Sequence, residues 1–320
     1  MWFTIDDIPA VPERLGVMEV TADPGTSTLT VATADGVRLH SEAVGSGEPI
    51  LFVHEFAGDH RTWAPQIGRF SRSHRCITYA ARGYPPSQVP ADPAAYSQQH
   101  AVDDALAVLD AHSVGAAHVV GISMGGFCGL HLAVQQPERV RSLVVAGTGY
   151  GARPHEAERF RGECDAIAEA IERSGMAAFA RQYMCGPSRV QLQNKDPRAW
   201  REYTEWLGEH SAEGSAHTMR GVQRERPSLY ALEEDLSAVA APVLVLAGDE
   251  DDGCLDTSVW LKRVIPSAGL AVLARSGHTL NIEEPDLLNS LLADFLGRAV
   301  AGAWGQRDPR AVSGAITGFS

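Results

Sequence analysis

An apolar run at residues 117–120 feeds straight into Gly121-Ile122-Ser123-Met124-Gly125, and Phe127, Leu130, Leu132 and Ala133 then recur at helical spacing. This reads as a buried strand, a sharp turn and a helix. Gly121 and Gly125 flank the serine because a side chain at either place would crowd so tight a turn. A serine at the tip holds its hydroxyl above the sheet, beside the free N–H groups of a helix N-terminus. The five-residue pattern alone recurs by chance, so its weight comes from the strand before it and the helix after it.

The rest of the chain supplies a sheet for that strand. Two alternating runs at residues 29–43 flank Asp35-Gly36, a hairpin signal. Short apolar runs at 50–53, 76–79, 142–146, 242–247 and 270–273 read as buried strands, with helical patterns at 63–70, 101–109 and 285–296. Pro285 takes the first helical position, where proline is favoured. Strands alternating with helices imply βαβ units, hence an α/β fold with a mostly parallel sheet flanked by helices.

The alternation breaks at 151–235. Phe160, Cys164, Ile167 and Ile171, then Met176, Phe179 and Tyr183, then Trp200, Tyr203 and Trp206 recur at helical intervals with no strand run between them. We read this stretch as a helical cap inserted into a core formed by 29–150 and 236–298. Residues 1–28, polar and holding Pro9, Pro12 and Pro24, read as an N-terminal extension, and 299–320, rich in Gly and Ala, as a loose tail.

A net charge of -13 without clustered Lys or Arg argues against a nucleic-acid partner, since phosphate binding needs concentrated positive charge. The five cysteines form no C-x-x-C pattern, which favours a reducing compartment. The start, Met1-Trp2-Phe3-Thr4, lacks the basic and apolar regions of a signal peptide, and no apolar run approaches the ~18 residues of a membrane span. A cytoplasmic protein with a small-molecule substrate is expected, without membrane association; self-association is left open.

A serine hydroxyl needs a base, itself oriented by an acid, to act as a nucleophile. Past the run at 242–247 comes Gly248-Asp249-Glu250-Asp251-Asp252-Gly253, and past 270–273 comes Ser276-Gly277-His278. Serine, candidate acids and histidine thus all follow the C-terminal ends of strands, where parallel sheets place their sites. The order Ser…Asp…His suits a nucleophile elbow. No H-E-x-x-H or comparable spacing suggests a metal, and no cofactor is implied.

Four motifs together carry a family resemblance: His54-x-Phe56-x-Gly58, Gly121-x-Ser123-x-Gly125, Gly248-x-x-Asp251 and Gly277-His278-x4-Glu283-x-Pro285. From about Leu29 to Leu296 the chain resembles the α/β-hydrolase superfamily, and within it the lidded esterases, enol-lactone hydrolases and carbon–carbon bond hydrolases. The resemblance implies a catalytic triad of Ser123, Asp251 and His278, with Asp251 preferred to Asp249 and Asp252 by its distance from the glycine. It implies an oxyanion hole of the Phe56 and Met124 backbone N–H groups, with His54 bracing that loop. The implied activity is hydrolysis of a small carboxylic ester or lactone. Carbon–carbon cleavage of a vinylogous diketone, a cofactor-free haloperoxidase-like activity and a ligand receptor on a hydrolase fold are the alternatives.

Two positions depart from the family pattern. Ala80 and Ala81 precede Arg82-Gly83 where an Asp is usual, and Glu55 stands where the family has glycine. One reading turns the Glu55 carboxylate away to pair with Arg61 or Arg82. The other places it at the pocket mouth, where it repels anionic substrates and favours neutral ones. The aromatic cluster Tyr183, Trp200, Tyr203 and Trp206 is expected to cover the site and shape an apolar pocket of modest size.

If the chain is a hydrolase, a fluorophosphonate should add once, at Ser123, as read by intact mass and peptide mapping, and Ser123→Ala should abolish the adduct. An unlabelled Ser123 in folded protein would favour the receptor reading.

Overall fold

The computed structural model describes residues 25–312. An eight-stranded sheet runs through it in the order β1-β2-β4-β3-β5-β6-β7-β8. The strands are β1 (Thr26–Ala32), β2 (Arg38–Val44), β3 (Glu48–Val53), β4 (His74–Tyr79), β5 (Ala117–Ile122), β6 (Val140–Ala146), β7 (Val243–Gly248) and β8 (Ala268–Leu273). β1 pairs antiparallel with β2, and β2 with β4; every other pairing is parallel. The expected hairpin is present, and since β1 begins at Thr26, the end of the expected extension is strand. The remainder of that extension lies outside the described residues.

Central strands are buried on both faces. All six residues of β5 and all six of β7 are buried, which is why they read as unbroken apolar runs. One face of the sheet packs against α2 (Gln98–Ala111) and α3 (Met124–Gln135) through Val102, Ala105, Leu109, Leu130 and Leu132. The other packs against α1 (Ala64–Phe70) and a C-terminal helix, Pro285–Val300, through Phe70, Leu288, Leu292 and Phe295.

Between β6 and β7 the chain forms helices. The longest is Ala157–Ser174, followed by Met176–Tyr183, Val190–Lys195, Pro197–Gly208, Ala212–His217 and a π-helical turn at Thr218–Gln223. Their apolar side chains share one cluster with Phe56, Ala57 and Met124 of the core. The cap therefore packs directly on the loops predicted to stabilise charge. Among the described residues no helix is long and apolar enough to cross a membrane.

Two features escaped the sequence reading. A helix at Asp252–Val264 joins β7 to β8, yet its buried face is Cys254, Thr257, Ser258 and Leu261, so no apolar stripe marks it. The expected tail from 299 is held down as far as Arg307. Helix continues to Val300, Trp304 packs edge-on to Phe295 at 4.7 Å, its Nε1 donates to the Ser267 carbonyl at 2.8 Å, and the Arg307 N–H reaches Pro266 at 2.9 Å. One tryptophan in a small-residue background is enough to anchor the segment.

The turn at Ser123 is as tight as its glycines imply. Ser123 has φ 52° and ψ -115°, and its N–H donates to the Ala146 carbonyl at 2.8 Å. A Cβ on Gly121 would lie 2.2 Å from the Gly125 carbonyl oxygen, and one on Gly125 would lie 2.0 Å from that of Val53. Both obstacles are backbone and neither can swing aside. Gly125→Ala should therefore cost at least ~1–3 kcal/mol, the usual range for overpacking, in urea denaturation. An unchanged midpoint would show that the elbow has room that these distances deny.

Candidate active site

Ser123, Asp251 and His278 follow β5, β7 and β8, three strands whose C-terminal ends lie along one edge of the sheet. His278 Nδ1 and Asp251 Oδ2 are 2.7 Å apart. Both side chains are buried, and Asp251 is the aspartate that faces the histidine, whereas Asp249 Oδ1 accepts the Ser276 N–H at 3.0 Å. Burial pushes the His278 pKa down, but the charge and hydrogen bond of Asp251, helped by Glu55, outweigh it and leave the ring above its ordinary 6.5. Burial likewise raises Asp251, and the His278 charge and hydrogen bond bring it below the usual carboxylate value. The pair is thus arranged to hold an imidazolium, as a base that has just taken a serine proton requires.

The oxyanion loop follows β3. His54 is buried, and burial lowers its pKa to about 4, so it is neutral near pH 7. Its Nδ1 donates to the Glu55 carbonyl at 2.7 Å, and its Nε2 accepts the Ala81 N–H at 3.0 Å. The Gly58 N–H holds the same Glu55 carbonyl at 3.2 Å. Because a trans peptide points its C=O and N–H in opposite directions, fixing the Glu55 carbonyl aims the Phe56 N–H the other way. The Phe56 carbonyl accepts from the Tyr84 hydroxyl at 3.0 Å, which fixes the next peptide as well. Among the described residues neither the Phe56 nor the Met124 N–H has a hydrogen-bond partner. Two free donors flanking a serine suit a developing oxyanion.

Neither reading of Glu55 describes it in full. Arg61 pairs with Asp59 at 2.7 Å and Glu209 at 2.6 Å, and Arg82 with Asp104 at 2.6 Å and Asp35 at 2.8 Å, so neither is its partner. The partner is Arg189 from the cap. Its Nη1 and Nη2 reach Glu55 Oε1 and Oε2 at 2.7 and 2.5 Å, and the Tyr203 hydroxyl donates to Oε1 at 2.6 Å. Arg189 is 0% exposed and Glu55 2%. Burial raises the Glu55 pKa, but the charge and hydrogen bonds of Arg189 outweigh it and hold the carboxyl at about 2. The carboxylate does face the site, 3.7 Å from His278 Nε2. Its charge, however, is matched by a forked guanidinium, so the repulsion of anionic substrates expected from an isolated Glu55 is cancelled.

Ser123, His278, Glu55 and Phe56 open on a common cavity of about 180 Å³. From the cap come Phe160, Tyr183, Met219 and Gln223, and Tyr150 and Arg226 close the side near the cap's two ends. Tyr183 lines the cavity as expected, and Tyr203 stands behind Glu55. Trp200 and Trp206 do not reach it. Trp200 Nε1 donates to the Met184 carbonyl inside the cap at 2.7 Å, and Trp206 lies outside, 5.2 Å from the Arg61 guanidinium. Helical spacing put all four aromatics in one stripe, but only Tyr183 lines the cavity. Arg189 and Arg226 were missed because nothing local distinguishes a buried arginine from a solvated one. The single hint was an unexplained Glu55 in need of a cation.

The cap also touches the base directly: the Ser188 carbonyl accepts the His278 backbone N–H at 3.1 Å. Beneath it, Glu283 Oε1 accepts the Gly277 N–H at 2.8 Å, and Lys195 of the cap reaches the same oxygen at 3.0 Å.

The alpha/beta hydrolase fold family matches the chain over residues 48–285. A relative from Agrobacterium fabrum, named with reservation as the carbamate hydrolase RutD, is 31% identical over 266 residues, 81% of this chain and 96% of its own. The 2-hydroxymuconate semialdehyde hydrolase of Pseudomonas sp. is 31% identical over 278 residues, 84% of this chain and 94% of its own. Among solved structures, the enol-lactonase of Burkholderia xenovorans is similar with a TM-score of 0.73 at 22% identity, covering 84% of this chain and 100% of that one. That last likeness is one of fold.

Two outcomes are expected of this geometry. Arg189→Met strands a buried carboxylate and should cost ~3–5 kcal/mol in urea denaturation, with much of the loss recovered on adding Glu55→Gln. A neutral effect of Arg189→Met would mean that the pair does not hold the cap. Next, kcat/KM on a neutral ester should rise with pH through an inflection above 6.5, since the neutral imidazole is the base and its pKa is raised. Glu55→Gln removes an anionic neighbour while the Arg189 cation stays, so the inflection should move to lower pH. An unmoved inflection would show that His278 does not feel that charge.

Proposed function

The chain belongs to the alpha/beta hydrolase fold family, and on that premise we propose that it is a serine hydrolase that cleaves a small carboxylic ester or lactone through an acyl-enzyme. The observation that carries this reading is the convergence of Ser123 on a strained turn, His278 paired with buried Asp251 at 2.7 Å, and Phe56 on one cavity, with the backbone N–H groups of Phe56 and of Met124, the residue after Ser123, left without partners among the described residues. His278 takes the proton of Ser123 as the oxygen attacks the carbonyl carbon. The negative charge on the carbonyl oxygen falls to the Phe56 and Met124 amides. The alcohol departs with the proton held by His278, and water then enters by the same base to release the acid. From a lactone the leaving alcohol stays tethered to the acyl group and leaves with it at hydrolysis.

Cavity size supports a small substrate. At about 180 Å³ it is slightly larger than the ~150 Å³ that encloses a benzene-sized group. Carbon–carbon hydrolysis is the second reading, favoured by the similarity to a relative named for 2-hydroxymuconate semialdehyde, a compound with no ester bond.

Turnover of 4-nitrophenyl esters from acetyl to dodecanoyl, several lactones and a ring-cleavage diketone separates the two, with Ser123→Ala as the blank. Short esters or lactones should be cleaved, with kcat/KM falling beyond hexanoyl. Asp251→Asn and His278→Ala should each lower ester kcat by on the order of 10³-fold or more. Turnover of the diketone alone would replace this reading with the second.

A further inference from the structure

The basic side chains in and behind the cavity are not alike. His278 has Asp251, and Arg189 has Glu55. For Arg226, among the described residues, no carboxylate lies within ion-pair distance. Arg226 is half-buried, and its guanidinium lies 3.6 Å from the centre of the Phe127 ring, with the Phe160 ring 4.9 Å away. Nη1 donates to Gln223 Oε1, and Nη2 to the Tyr150 carbonyl at 2.5 Å. A guanidinium carries five N–H donors, so these two bonds leave others unused. Desolvation lowers its pKa to about 10 with no acid to restore it, and the group is still a cation at pH 7.

That position adjoins the chemistry. Phe127 is one helical turn past Ser123, and the Tyr150 ring, whose residue Arg226 clamps, packs edge-on to His278 at 5.6 Å. The other acids on this cavity do not answer the charge. Glu55 is neutralised by Arg189, and Glu163 is exposed at the rim and reaches Arg159 at 3.3 Å. A cation held among aromatic rings without a counter-ion is costly, and a ligand that brings the anion removes the cost.

We infer that Arg226 is the counter-ion for a carboxylate of the substrate, so that the ester or lactone cleaved at Ser123 carries an acid group seated on the side of the cavity lined by Phe160, Gln223 and Arg226. A carboxylate is planar and small, matches the forked edge of a guanidinium and fits the limited space. The inference rests on the serine-hydrolase reading and makes it narrower. It also reverses the selectivity that an unpaired Glu55 would impose.

The test uses two matched pairs of esters. One places the charge on the acyl side, mono-4-nitrophenyl adipate against 4-nitrophenyl methyl adipate. The other places it on the leaving group, 4-carboxyphenyl acetate against its methyl ester. The parent enzyme should prefer the anionic member of at least one pair. In Arg226→Gln the anionic-to-neutral ratio of kcat/KM for that pair should fall by about 10- to 100-fold, the usual loss for a charge-assisted contact, and Arg226→Lys should restore part of it. A parent with no anionic preference in either pair overturns the proposal without any variant. So does an equal loss on both members of a pair, which is what a purely structural Arg226 predicts. Should the parent cleave none of the four, the ester reading falls, and the carboxylate site is judged by thermal melting. Adipate, but not 1,6-hexanediol, should then raise the Tm of the parent and not that of Arg226→Gln; equal shifts overturn it.

Discussion

Two opposite charges lie side by side almost wholly buried, one of them 3.7 Å from the His278 ring. Taking Glu55 and Arg189 out of water costs several kcal/mol for each ion. The cost is offset because both carboxylate oxygens meet the guanidinium fork and Tyr203 adds a third hydrogen bond. Glu55 belongs to the oxyanion loop of the core, and Arg189 to the cap. The neighbouring Ser188 carbonyl holds the backbone of His278. One short cap segment therefore fixes the oxyanion loop through a side chain and the base loop through its backbone. Correct docking of the cap and correct geometry of the site are the same condition.

This arrangement explains how a glutamate is tolerated where glycine is usual. The neighbouring peptide carries the donor that matters, and its direction is set by bonds to the Glu55 carbonyl from His54 and Gly58, not by the Glu55 side chain. Its carboxylate goes to Arg189, so the charge that would oppose an oxyanion is cancelled at its source. Gly58 shares in this, since a Cβ there would come within 3.0 Å of the Tyr203 hydroxyl that steadies Glu55.

Cavity size follows from the same docking. The cap's apolar face is shared with Phe56 and Met124, which draws its helices down onto the site and leaves about 180 Å³. The π-helical turn at Thr218–Gln223 sets Met219 and Gln223 on the cavity wall. Such turns recur at functional sites because the extra residue redirects side chains that a regular helix would space evenly.

The elbow, the alternation of strands and helices, the run of helices between two core strands and the strand-end positions of Ser123, Asp251 and His278 were legible in the amino-acid sequence. Each depends on local rules: glycines at a turn with no room, strands long enough to read as apolar runs, site residues just past strand ends. Where a buried face was made of small or hydroxylic residues, as in Asp252–Val264, the same rules were silent. The partner of Glu55, the failure of Trp200 and Trp206 to reach the cavity and the isolation of Arg226 depend on which edge of the cap meets the core. Helical periodicity gives a face but not its rotation against another domain, and a charge pair 134 residues apart in the chain has no local signature. The placement of Ser123, Asp251 and His278 at the strand ends was thus written in the sequence. Which charges those residues face was decided only by the packing of the cap, because burial and pairing are properties of the assembled whole.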